Sequence, residues 1–107
     1  MTLRFSVGAT QGGDYSWWLY GANNKMVAWA GETFASHFNA NRAATSFKVG
    51  AAAATYEFYL DGDVSYRWRA RRSSDKVASS GEAFSSKAAA EIAAANVRVN
   101  AGAATGP

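Results

Sequence analysis

Four arginines crowd one short stretch of this 107-residue chain: Arg67, Arg69, Arg71 and Arg72. The first three alternate along a predicted strand, Ser65–Arg71, so they project from one face. Arg72 adds a fourth charge at the strand end. The matching face of an earlier predicted strand, Tyr15–Gly21, carries Ser16, Trp18 and Tyr20. Arginines beside aromatic rings are what single-stranded nucleic-acid binders use: phosphates pair with guanidinium groups and bases stack on rings. Neither an RNP1 motif nor the β-α-β-β-α-β order of an RRM accompanies them. Asp61, Asp63 and Asp75 lie in adjoining turns and compete for the same arginines. A solvated antiparallel face laced with cross-strand ion pairs has the same pattern.

Glu32 and Glu82 are the next candidates, standing in matched segments, Gly31-Glu32-Thr33-Phe34 and Gly81-Glu82-Ala83-Phe84. They could act as a pair of acid/base groups. Each also falls before a predicted helix, where a carboxylate accepts hydrogen bonds from backbone amides without any chemistry. His37 could be a general base or a single metal ligand, but its match in the second segment is Lys87, which favours a solvated helix residue. Asp61-Gly62-Asp63 lacks the further ligands of a calcium loop and reads as a turn. Gly12-Gly13 opens no helix, and no serine sits in a Gly-x-Ser-x-Gly elbow. No catalytic residue, metal site or cofactor is therefore expected.

Composition narrows the classes further. With no cysteine, disulfides, zinc-thiolate sites and cysteine nucleophiles are excluded. One histidine excludes a multi-histidine metal site within one chain. Hydrophobic residues make up 49 %, enough for a packed core. No apolar run reaches the length of a membrane span, and Met1-Thr2-Leu3-Arg4 does not read as a signal peptide. Lack of cysteine and richness in alanine fit a cytoplasmic protein. The net charge is +3. It divides into +2 for residues 1–52 (four basic, two acidic) and +1 for residues 53–107 (seven basic, six acidic).

The elements that must position these groups come as a repeat. Tyr15-Ser16-Trp17 matches Tyr66-Arg67-Trp68, and Gly31–Ser36 matches Gly81–Ser86. Phe5 pairs with Tyr56, Val7 with Phe58, and Val49 with Val99. The register slips by one between Trp17 and Val27, which places a deletion in a turn, since inside a strand it would reverse every later side chain. Unit one is expected over 3–51 and unit two over 55–101, with a loose tail at 102–107. A unit of about 50 residues buries too little surface to stand alone, so both should share one core.

Within a unit, the predicted strands are Arg4–Ala9 and Tyr56–Leu60, then Tyr15–Gly21 and Ser65–Arg71, then Met26–Ala30 and Lys76–Ser80. Asp61-Gly62 and Asn23-Asn24 supply hairpin turns. Ser36 and Ser86 are the helix N-caps. Lys87–Ala95 has strong helix composition, and His37–Ala44 a weaker form of it. Ser46–Val49 and Asn96–Val99 alternate and read as a fourth strand, with a continuation of the helix as the alternative. Trp17, Trp68, Phe34 and Phe84 are matched in both units and are expected in the core. Trp18 and Trp29 have no aromatic match and are expected at a surface or pocket.

The segments Tyr56-Glu57-Phe58-Tyr59, Tyr66-Arg67-Trp68-Arg69 and Gly81-Glu82-Ala83-Phe84-Ser85-Ser86-Lys87-Ala88 resemble the YegP-like family of small tandem-repeat proteins of unknown function. The first unit departs from that pattern at Ser16, Trp18 and His37. The resemblance implies one sheet in which C-terminal strands are exchanged between units, and it carries no activity.

The expectation is thus an α+β protein. Two tandem β-β-β-α-β units form a single pseudo-twofold domain, with one mainly antiparallel sheet and the helices on one face. The expected function is a non-enzymatic module that binds a protein or small-molecule partner through the aromatic and basic sheet face. A weak nucleic-acid binder using Arg67, Arg69 and Arg71 is the alternative, and an enzyme using Glu32 or Glu82 with His37 the remote one. A monomer that engages no membrane is expected.

Overall fold

The computed structural model describes residues 2–62 and 64–107. Asp63, named above as a turn residue and rival for the arginines, lies outside them. Three strands come first: β1 (Arg4–Ala9), β2 (Tyr15–Tyr20) and β3 (Met26–Trp29). Helix α1 (His37–Gly50) follows, then β4 (Thr55–Asp61), β5 (Ser65–Arg72), β6 (Asp75–Ser80) and helix α2 (Lys87–Asn100). The strands form one six-stranded sheet in the order β1-β2-β3-β6-β5-β4, and every neighbouring pair is antiparallel. The first half (β1–β3 with α1) meets the second (β4–β6 with α2) at β3–β6, through two residue pairs, Ala28↔Ser80 and Trp29↔Ser79.

Turn chemistry explains the hairpins. Gly13 and Gly62 adopt positive φ in the β1–β2 and β4–β5 turns, and Asn24 (φ 59) and Ser73 (φ 57) do so in the other two. The turn between β2 and β3, with a helical turn at Ala22–Asn24, is longer than the one between β5 and β6 at Ser73 and Ser74. Each half also carries a register shift beside the turn, between Leu19 and Tyr20 and between Ala70 and Arg71. These shifts give Val27 and Val77 no direct partner across the ladder, as in a β-bulge.

The helices begin as predicted. Ser36 Oγ accepts from Asn39 N and Ser86 Oγ from Ala89 N, each at 3.1 Å. Both serines share one extended conformation, φ −144 and ψ 157. The predicted fourth strands do not form. Ser46–Val49 and Asn96–Val99 continue the helices, so no strand is exchanged between halves among the described residues. The reason is periodicity. Ala40, Ala44, Phe47 and Ala51 are buried at helical spacing, as are Ala90, Ala94, Val97 and Ala101. Val49, read as the inward partner of Phe47, is 80 % exposed.

Both helices pack on one sheet face. Trp17 lies between Phe5, edge-on at 5.5 Å, and Phe47, stacked at 5.2 Å. In the second half Tyr56 packs on Trp68 at 5.5 Å, and Val97 fills the helix side. These side chains belong to one continuous hydrophobic cluster spanning both halves. The indole N–H groups of Trp17 and Trp68 are buried with no hydrogen-bond partner among the described residues. The tail, expected loose, is docked. Thr105 bridges Arg4 in parallel: Phe5 N donates to Thr105 O at 2.9 Å, and Thr105 N donates to Leu3 O at 2.9 Å. No helix among the described residues is long and apolar enough to cross a membrane.

Candidate functional site

The sheet face opposite the helices carries the arginine row. Strand alternation and register lay one line of residues across it: Ser6, Trp18, Trp29, Ser79, Arg69 and Glu57, each directly opposite the next. Trp18 and Trp29 therefore stand side by side, half-buried, as their lack of aromatic counterparts implied. Tyr20 flanks them, with the Arg4 guanidinium 4.9 Å over its ring. Arg4 also bonds to the Asn24 side chain. The first half thus makes the aromatic part of this face. Ser16 belongs there by alternation but is buried, and its hydroxyl donates to the Glu32 carbonyl at 2.9 Å.

The second half makes the charged part, and its charges are paired. Arg67 Nε donates to Asp61 at 2.7 Å, while Arg69 Nε and Arg71 Nε both donate to one oxygen of Glu57 at 2.8 Å. Arg69 lies 4.8 Å over the Tyr59 ring. The Arg69 and Arg71 hydrogen bonds hold the Glu57 carboxyl below the ordinary carboxylate range. Three guanidinium groups therefore face two carboxylates, which leaves a residual charge of +1 (three minus two). Arg72 does not extend the row. It follows Arg71 by one residue, so it turns to the helix face and lies across Gly50, donating to Ser46 O at 3.4 Å. Pleat alternation is the reason, and it corrects the expectation of a fourth charge on this face.

The two matched glutamates are not helix caps. Glu82 crosses to the other half and pairs with Lys25 at 3.1 Å, in a cleft walled by Val27, Phe84, Ala93 and Asn96. Glu32 lines a smaller cleft with Phe47, Lys76 and Val77. His37 is in neither wall; its ring meets Tyr15 edge-on at 6.1 Å. Among the described residues no group of three or more His, Asp or Glu gathers that could hold a metal.

Glu57 and Lys25 escaped the sequence reading. Glu57 was within reach: the β4–β5 hairpin register puts it opposite Arg69. Lys25–Glu82 spans 57 positions across the seam, and nothing local in the chain signals it.

No family model and no curated protein matches this chain. Two solution NMR structures do. The UPF0339 protein from Shewanella oneidensis is 15 % identical, with a TM-score of 0.81 over 98 % of this chain and 89 % of that one. The protein of unknown function yegP from E. coli is 16 % identical, with a TM-score of 0.81 over 98 % of this chain and 90 % of that one. At such identity the shared property is the fold. Neither likeness indicates an enzymatic role or a specific binding role.

Proposed function

We propose that this chain is a non-catalytic, protein-binding module of the YegP-like kind. In this reading it is a tandem pair of β-β-β-α units forming one monomeric, pseudo-twofold domain in the cytoplasm. The likeness to two structures of that kind supports the assignment, as do the matched helix caps and matched register shifts of the two halves.

One observation carries the binding role. Both helices lie on one face, leaving Trp18, Trp29, Tyr20, Tyr59 and the ion-paired arginines on the other. Half-buried aromatics and arginines in one patch are the residue types that anchor protein partners. A partner segment with an apolar anchor beside the tryptophans and a carboxylate near Arg69 matches that patch. Nucleic acid matches it less well, because Glu57 and Asp61 already neutralise two of three charges.

A display library of random peptides tests the reading. The expected result is a selected peptide whose amide-shift footprint centres on Trp18, Trp29 and Arg69, and whose binding Trp18→Ala weakens while Val99→Ser on α2 does not. Footprints on the helix face would overturn it, and so would failure to select any binder. Salt-sensitive binding of oligo-dT, with a log–log slope near −0.7 per phosphate, would favour the nucleic-acid alternative.

A further inference from the structure

The cleft holding Lys25 and Glu82 is a second candidate site, and its chemistry is specific. It is a cleft of about 350 Å³, the space of roughly a dozen water molecules and the lower end of the range for small-ligand pockets. The first half supplies Lys25 and Val27, and the second supplies Glu82, Phe84, Ala93 and Asn96. Val27, Phe84 and Ala93 make an apolar wall. Lys25 Nζ and Glu82 Oε2 are 3.1 Å apart, with side chains 65 % and 37 % exposed. Asn96 spends its amide oxygen on Asn100 Nδ2 at 2.7 Å, so it has a donor left to offer.

We propose that this cleft binds a free α-amino acid with an apolar side chain. The ligand carboxylate replaces Glu82 at Lys25 and takes a bond from Asn96. The ligand ammonium replaces Lys25 at Glu82, and the side chain lies against Val27, Phe84 and Ala93. An exposed ion pair is weak, so opening it costs little, and two charge-assisted contacts take its place. The exchange leaves the site's charge unchanged. A simple anion meets Glu82, and a simple cation meets Lys25, so only a ligand with both charges satisfies both groups.

The matching cleft of the first half explains why one site is expected and not two. It has the same elements, Glu32, Phe34, Ala43, Lys76 and Val77, but only about 140 Å³. Phe47 lines it, at the position matched by the smaller Val97, and Lys76 Nζ is engaged by Gly31 O at 3.1 Å.

Titration of the full chain with L-leucine, followed by amide shifts, tests the proposal, with 4-methylpentanoate and isopentylamine as single-charge controls. The expected result is saturable binding of one equivalent, with shifts at Val27, Phe84 and Ala93. Both controls should bind at least about tenfold more weakly. Glu82→Gln, at a partly exposed side chain, should fold normally and lose about tenfold in leucine affinity, and Lys25→Arg should retain most of it. Absence of saturable shifts, equal binding of either control, or an unchanged affinity in Glu82→Gln would each overturn the proposal.

Discussion

The two halves of the molecule agree inside and disagree outside. Trp17 and Trp68 sit at matching places in the core, each fully buried, and each is flanked by a β1- or β4-derived ring and a helix side chain. The volumes differ, with Leu19 and Phe47 on one side and the smaller Ala70 and Val97 on the other, all in one cluster. On the open face the first half presents Trp18, Trp29 and Tyr20, and the second presents Arg67, Arg69 and Arg71. Packing constrains a core position to a narrow range of shapes, whereas an outer position need only stay compatible with a strand. A shared interior can therefore carry two unlike exteriors.

Removing one of the matched rings should have the largest effect. Trp17→Ala and Trp68→Ala should each cost about 3–5 kcal/mol. In both variants the two halves should melt in one transition, because they share the cluster. Thermal unfolding followed by near- and far-ultraviolet circular dichroism checks this, and two separated transitions would show that the halves have independent cores.

A smaller effect separates two matched glycines that are glycine for different reasons. A Cβ at Gly81 would run into the Met26 backbone carbonyl across the seam, which has no room to move. Gly31 has φ +78, where an added Cβ is strained whatever the space, and its side-chain neighbours Ser79 and Lys76 can shift. Gly81→Ala should lose about 3 kcal/mol, at the upper end for overpacking, and Gly31→Ala about 1–2 kcal/mol. Urea denaturation ranks them, and the reverse order would contradict the seam geometry.

The pH dependence should fall on the second half. Burial pushes the Tyr56 hydroxyl up from 10 to about 12, against a small opposing pull from Arg98. A group raised in this way stabilises fully below pH 10, and its contribution disappears as pH rises from 10 to about 12. Phe5 holds the matching place and has no proton to lose. Tyr56→Phe should remove the alkaline loss, and at neutral pH it should cost about 1 kcal/mol for the bond to Ala51 O. Glu57 works in the opposite sense: its carboxyl is held low by Arg69 and Arg71. Its contribution is present above the ordinary glutamate range and fades as pH falls below it. Stability measured across pH in wild type, Tyr56→Phe and Glu57→Gln checks both limbs.

The least change in stability, and the most direct probe of the exterior, comes from unpairing the arginines. Glu57→Gln with Asp61→Asn raises the residual charge of the row from +1 to +3 by removing two carboxylates. Stability should change little, since the pairs are exposed and screened by solvent. Oligo-dT affinity should rise, with a steeper salt slope than wild type. An unchanged slope would mean that the arginines are not available even when freed.

How much of this was legible in the chain follows from the range of each interaction. The six strands and both serine caps are local, and the residues named them within one or two positions. The helix ends were misread because Phe47 and Val49 satisfy a two-residue alternation as well as part of a helical stripe. Only the buried series Ala40, Ala44, Phe47 and Ala51 separates the two periods. The face opposite the helices was expected, yet its ion pairing turned on hairpin register: Glu57 lies twelve positions from Arg69 along the chain. The cleft at Lys25 was illegible, because it exists only once β3 pairs with β6.

The docking of Thr105 beside Leu3 and Phe5 brings the two ends of the described chain together at the outer edge of β1. Ala51–Ala53 links the halves by a short helical turn, and Ala101–Ala103 has the same form at the other end. The backbone therefore approaches a closed ring, with two equivalent hinges from which it could be opened. A circular permutant that joins the ends by a short glycine linker and begins at Thr55 should retain the sheet order and the shared core.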